Sequence, residues 1–173
     1  FDPIAVAEAR RQGLAADLGG IDQLTAQAPT YDWITCSHVL EHVHDPQHLC
    51  HSMHRLLRSG GTLWLQTPNL NSIGHRTYGR DWVGADPPRH LTLLTLTSLR
   101  SALEKAGFQT SFRRLPLFPA MAFYAASNAL RGGEVNAMAL PHTRTMRLHF
   151  LLLALRQHWR LQNAEFHTVI ATR

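Results

Sequence analysis

The sequence predicts an α/β fold built on an open, largely parallel sheet. Short apolar runs at residues 33–36 and 62–67 alternate with longer segments of helical periodicity. Between and around them the chain reads YDWITCSHVLEHVHDP, then a helical run, then LLRSGGTLWLQTPN, which is a βαβ unit. Polar residues crowd at the carboxyl ends of both strands, the edge at which open parallel sheets bind ligands.

Asp2 before Pro3 marks a helix start, with Asp as N-cap and Pro in the first turn. That helix is expected to run to about Gln12 and stop at Gly13. Residues 14–16 are a short strand candidate, and residues 19–30 a polar connection with room for one helical turn. Residues 33–36 read as a buried strand. Asp45-Pro46 starts the next helix, which presents Leu49, Met53, Leu56 and Leu57 and ends near Arg58. Gly60-Gly61 is the turn into the strand at 62–67, because a tight helix-to-strand turn needs positive φ.

Residues 71–86 read as a short helix and a loop, stopped by Pro87-Pro88. Thr95 caps a helix to Ala106, and Gly107 ends it. Strands are expected at 108–115 and 166–171. The stretch between them, residues 116–162, reads as a helical insertion with helices near 120–130 and 145–161.

One domain suits 173 residues. The net charge of +5 is uneven: residues 108–173 carry eight Arg against Glu134 and Glu165, a net of +6. A basic C-terminal third could favour an anionic substrate or a membrane surface; scattered Arg on a solvated surface explains it equally. No basic run is interleaved with aromatics, which argues against nucleic acid. Cys36 and Cys50 are too few for a disulfide framework and sit among apolar residues, so they read as reduced, buried and cytoplasmic. No apolar run reaches the ~18 residues of a membrane span. The chain starts at Phe1 with no Met and no strand before its first helix, and is expected to be the remainder of a longer protein.

The block from Tyr31 to Asn69 resembles the fourth and fifth strands of class I S-adenosylmethionine-dependent methyltransferases, notably the small-molecule group around the ubiquinone-biosynthesis O-methyltransferases. The resemblance runs from Phe1 to about Phe108 and returns at residues 165–173. It implies a Rossmann-like fold, N-terminally incomplete, lacking the first strand and its Gly-rich turn, which takes the neighbour from residues 14–16 and leaves the strand at 33–36 an exposed edge, with the last strand antiparallel beside 108–115. It implies S-adenosylmethionine as cofactor. Asp17 and Leu18 stand where an acidic residue meets the adenine amino group. Ser37 and His38 fall in the loop that passes beneath the cofactor.

His38, Glu41 and His42 stand at i, i+3 and i+4, so a helical turn would gather them. Some members of the group bind a divalent metal with an acidic residue, a Glu and a His at these positions. This chain has His at the first, and the expectation is that no metal is held; Glu41 and His42 then anchor the loop by hydrogen bonds. The same residues match H-x-x-E-H, an inverted zinc-peptidase motif. That motif needs a long helix, whereas here a β-rich run precedes it and Pro46 follows. The His44, His48 and His51 stripe reads as a solvated helix face.

The segment after Pro68-Asn69 resembles the part that roofs the substrate in one subgroup. Tyr78, Trp82 and Arg89 are the candidates for substrate contact. Methyl transfer is an in-line displacement that mainly needs alignment, and a hydroxyl nucleophile gains from a base titrating near neutrality. His90 is the first choice for that base and His75 the second. Residues 150–155 are apolar nearly all round, which suits burial, a homodimer contact through residues 118–160, or a membrane surface or lipid-linked substrate. The expected function of the full-length protein is methyl transfer to a small-molecule acceptor, at oxygen, with these 173 residues alone expected to be inactive. A non-catalytic binding protein on the same fold is the alternative, and a zinc peptidase the remote one.

Overall fold

The computed structural model describes residues 2–24, 29–114, 117–133 and 143–173. Helix α1 (Pro3–Arg11) starts at Asp2, whose carboxylate accepts from the Ile4 amide at 2.8 Å. Strand β1 (Tyr31–Ser37), helix α2 (Pro46–Leu56) and strand β2 (Leu57–Pro68) form the βαβ unit. Then come α3 (Ile73–Tyr78), α4 (Leu96–Lys105), β3 (Gln109–Arg113), α5 (Leu117–Arg131), α6 (Arg144–His158) and β4 (Phe166–Thr172). Asp45 caps α2 through the His48 amide at 2.8 Å. Thr95 and Ser98 form a reciprocal capping box on α4.

The sheet order is β1-β2-β4-β3. β1 runs parallel to β2, with Cys36 opposite Leu65. β4 inserts antiparallel between β2 and β3, so that Val169 faces Leu65 on one side and Phe112 on the other. Alternation along β2 buries Gly61, Leu63, Leu65 and Thr67. Leu63, Leu65, Val169 and Ala171 pack with Cys50 and Met53 of α2 and Leu99 and Leu103 of α4 into the main core. A second core lies in the roof, where Tyr78 and Trp82 pack with Tyr124 of α5 and Phe150, Leu153 and Ala154 of α6.

The structure corrects the sequence reading in four places. Residues 14–16 form no strand, because no neighbouring strand among the described residues offers them a ladder; Leu14 is exposed and α1 buries nothing. β1 is the exposed edge expected from the lack of a first strand, and not the buried strand its apolar run suggests: Trp33 is 55% exposed, and Cys36 is its only buried residue. Gly60-Gly61 lie inside β2, not before it. Tyr31 pairs with Leu57 and Trp33 with Thr62, so the intervening residues bulge, with Gly60 at φ +76°. The expected strand at 108–115 contracts to Gln109–Arg113; residues 115 and 116 lie outside the described residues, as do 134–142 within the expected helical insertion.

Candidate active site

The chain leaves β1 through His38, which takes a left-handed backbone at φ 51° while its amide donates to the Gln66 carbonyl at 2.9 Å. Both its ring nitrogens are engaged: Nδ1 with Glu41 Oε1 at 3.1 Å and Nε2 with Gln66 Oε1 at 3.0 Å. Gln66 donates its own amide to Thr168 Oγ1 at 3.1 Å, which leaves its oxygen to accept. Both His38 nitrogens are thus engaged inside the site. The His38 pKa is raised, chiefly by the bond to Glu41. Burial pushes the Glu41 carboxyl up, but bonds from His38, its own backbone and Thr67 outweigh this and hold it below the usual value. Thr67 Oγ1 supplies the second side-chain bond at 2.9 Å.

Glu41 also carries the roof, since its carbonyl accepts from the Leu91 and Thr92 amides at 2.8 and 3.1 Å. This brings His90 against His42, edge to face with ring centroids 4.7 Å apart. His42 Nδ1 donates to the Arg89 carbonyl at 2.9 Å and His90 Nδ1 to the Gly84 carbonyl at 2.8 Å. A carbonyl only accepts, so each ring carries its proton on Nδ1 and presents Nε2. Ligand atoms of Glu41, His42 and His90 lie within 4.8 Å of one another. The trio that the resemblance offered for a divalent ion, His38 with Glu41 and His42, does not form, because both His38 nitrogens are turned to Glu41 and Gln66. In the trio that does form, both Glu41 carboxylate oxygens are already bonded, to His38 and to Thr67.

Beside this cluster lies a cavity of about 620 Å³, between the 19–24 segment and the start of α2. Ile21, Leu24, Ile34, Val39, Val43 and Met53 give it apolar walls, and Asp17 and Asp22 reach it. His48 binds Asp22 at 2.6 Å, so the stripe expected to be merely solvated ties this wall to α2. Apolar walls with a carboxylate at the edge could hold an adenine, which packs by its faces and donates from its amino group; Asp17 itself is paired with Arg10 at 3.4 Å. Leu18 and Ser37 are exposed and do not line the cavity, nor does His38.

The roof candidates separate by burial. Trp82 is buried, donating its indole to Glu165 Oε2 at 2.9 Å. Tyr78 is buried in the same core, its ring under the Arg131 guanidinium at 4.8 Å. Both thus build the roof from inside. His75 donates Nδ1 to the Leu70 carbonyl at 2.6 Å and lies against Trp82, away from the His42–His90 pair. Arg89 is exposed and pairs with Asp86 at 2.7 Å. Sequence reasoning missed Gln66, Thr168 and Glu165. Glu165 offered no signal beyond a carboxylate in an apolar context. Cys36 and Cys50 are buried, with both thiols pushed up to about 12 by desolvation, so neither serves as a thiolate.

The H-x-x-E-H segment lies on a three-residue 3-10 turn, Leu40–His42, and its first His faces Gln66; the peptidase geometry is absent. Parallel β1 and β2, an antiparallel β4 between β2 and β3, and a cleft at the carboxyl edge define a Rossmann-like methyltransferase. Residues 1–111 match the family described as "Methyltransferase domain", and the chain belongs to that family. S-adenosylmethionine is its cofactor. The chain is 38% identical over 74 residues to the ubiquinone biosynthesis O-methyltransferase of Pseudomonas aeruginosa strain LESB58, a match spanning 40% of this chain and 32% of that protein. It is 29% identical over 90 residues to the enzyme of the same name from Salmonella newport, covering 49% and 34%. The matches thus span about a third of these relatives' length. Among solved structures, the S-adenosylmethionine-dependent methyltransferase of Mesorhizobium loti superposes with a TM-score of 0.58 at 17% identity, covering 99% of this chain and 77% of that one. The corresponding enzyme of Archaeoglobus fulgidus gives 0.56 at 14%, covering 96% and 71%.

Proposed function

We propose that the protein methylates an oxygen of a small-molecule acceptor, with His90 as the base. The observation that carries this reading is the His42–His90 pair, both Nδ1 protons fixed on backbone carbonyls, with His42 lining the cavity and His90 Nε2 3.9 Å from the Asp86 carboxylate. Bound S-adenosylmethionine supplies an electrophilic methyl group; Asp17 and the walls from Ile21, Val39 and Val43 would hold its adenine end. His90 accepts the proton of the acceptor hydroxyl at Nε2, which raises the oxygen's nucleophilicity as it aligns. The Asp86 carboxylate, 3.9 Å from His90 Nε2, stabilises the imidazolium that results. The relatives named as O-methyltransferases support oxygen as the acceptor atom.

The test is incubation of the protein with isotopically labelled S-adenosylmethionine and a panel of phenols, catechols and amines, with products read by mass spectrometry. Methyl ethers are expected. Exclusive transfer to nitrogen, or cofactor binding with no transfer to any acceptor, would overturn the reading.

A further inference from the structure

Helix α6 carries two apolar stripes on opposite sides. Met146, Phe150, Leu153 and Gln157 follow the i, i+4, i+7, i+11 pattern and point inward, where Phe150 and Leu153 are buried in the roof core. Leu148, Leu152, Leu155 and Trp159 repeat that pattern two residues later. Two residues turn a helix by about 200°, so the second stripe points away from the first. It is open to solvent: Leu148 is 57% exposed, Leu152 53% and Trp159 82%. Leu155, 42% exposed, completes it and Leu151 widens it. A row of about 16 Å of unpartnered Leu ending in Trp is more than scattered surface apolarity.

The charges beside this row name its occupant. From residue 135 to 164 the chain contains no Asp or Glu, while Arg144, Arg147, Arg156 and Arg160 flank the stripe. Among the described residues, Arg144, Arg156 and Arg160 are exposed and make no ion pair. A second copy docked stripe to stripe would bring two such Arg sets together without a counter-charge. An anionic bilayer surface satisfies both features: acyl chains take the Leu row, headgroup phosphates take the guanidinium groups, and Trp159 sits at the boundary. No helix among the described residues is long and apolar enough to cross a membrane, so α6 would lie in the interface plane.

We infer that the outer face of α6 is a docking surface for anionic lipid bilayers. It lies on the back of the roof, since the inner face of α6 packs on α5 and α3. The Gln157 side chain accepts from the Glu165 amide at 3.0 Å, which fixes the helix to the end of the sheet. Docking would therefore hold the roof against the membrane without opening its core.

The test is sedimentation of the protein with vesicles of phosphatidylcholine alone or mixed equally with phosphatidylglycerol, read without cofactor or acceptor and so independent of the catalytic proposal. Binding to the anionic vesicles at least ~10-fold tighter than to the neutral ones is expected, weakening as salt rises. Trp159 fluorescence should shift to the blue and be quenched by brominated acyl chains, and both signals should be absent from Trp159→Ser. Leu152→Glu with Leu155→Glu should cut binding by ~10-fold or more. Arg156→Gln with Arg160→Gln should remove the preference for anionic lipid while leaving the circular dichroism unchanged. Equal binding to both vesicle types, no binding to either, or a dimer in the ultracentrifuge that Leu152→Glu dissociates would each overturn the proposal; the last would assign the stripe to a second copy.

Discussion

The Trp82 indole donates to the Glu165 carboxylate at 2.9 Å across 83 residues of sequence. The same carboxylate accepts from the Gly74 amide at 2.6 Å, and Ser72 and Tyr124 also bond to it. Burial pushes its carboxyl up, and these four donors pull it back. One side chain at the start of β4 thus gathers α3, the Trp82 turn and α5 into a single roof. Trp82 also bears on the site itself. A Cβ at Gly84 would lie 2.3 Å from the indole, and the Gly84 carbonyl orients His90.

Gly74→Ala tests this hub. A Cβ there would stand 2.5 Å from Glu165 Oε2, an atom already locked by Trp82. The substitution is expected to destabilise the protein by about 2–4 kcal/mol. A denaturation midpoint unchanged from the wild type would show that the roof repacks freely.

His90→Ala should lower kcat on a hydroxyl acceptor by ~10²-fold or more and leave S-adenosylmethionine affinity nearly unchanged. The two quantities are separable by steady-state kinetics and calorimetry. Loss of cofactor affinity instead would place His90 in the cofactor site, and an unchanged kcat would remove it as the base.

Chelation should leave activity intact, because the Glu41 carboxylate near the His pair is already bonded by His38 and Thr67. Extensive dialysis against a chelator, followed by metal analysis and assay, checks this. Activity that vanishes and returns with one divalent ion would assign Glu41, His42 and His90 to a metal instead.

Acid should weaken the fold through His167. Desolvation depresses its pKa to about 4, while Nε2 donates to the Leu94 carbonyl at 3.2 Å. The unfolded chain binds the proton first, so this contribution is complete above about pH 6.5 and is lost as pH falls toward 4; it is worth up to ~3 kcal/mol. His38 acts in the opposite sense. Its raised pKa gives stability that is complete below about pH 6.5 and lost as pH rises through the folded value. Denaturant unfolding from pH 4 to 8 should show a flatter acid limb in His167→Gln. An acid limb identical to that of the wild type would contradict the assignment.

Much of the fold was legible in the chain because it rests on local signals. Asp2, Asp45 and Thr95 mark three helix starts by side chains that reach only two or three residues ahead. The alternation in β2 reports its pleat directly. What failed were inferences that need a neighbour. Whether 14–16 is a strand depends on a ladder partner, and whether β1 is buried depends on its place in the sheet, neither of which the segment encodes.

The site divides in the same way. The sequence by itself determined the βαβ frame, the polar loop carrying His38, Glu41 and His42, and a His at 90 downstream of β2. Tertiary structure alone decided which of these meet. It engaged both nitrogens of His38 with Glu41 and Gln66, set His90 edge to face against His42 across 48 positions, and drew Tyr78 and Trp82 inside around Glu165. The physical reason is that a capping bond or a pleat is settled within a few residues. A ring nitrogen's partner and a side chain's burial are set by atoms that only the folded chain brings within hydrogen-bonding distance.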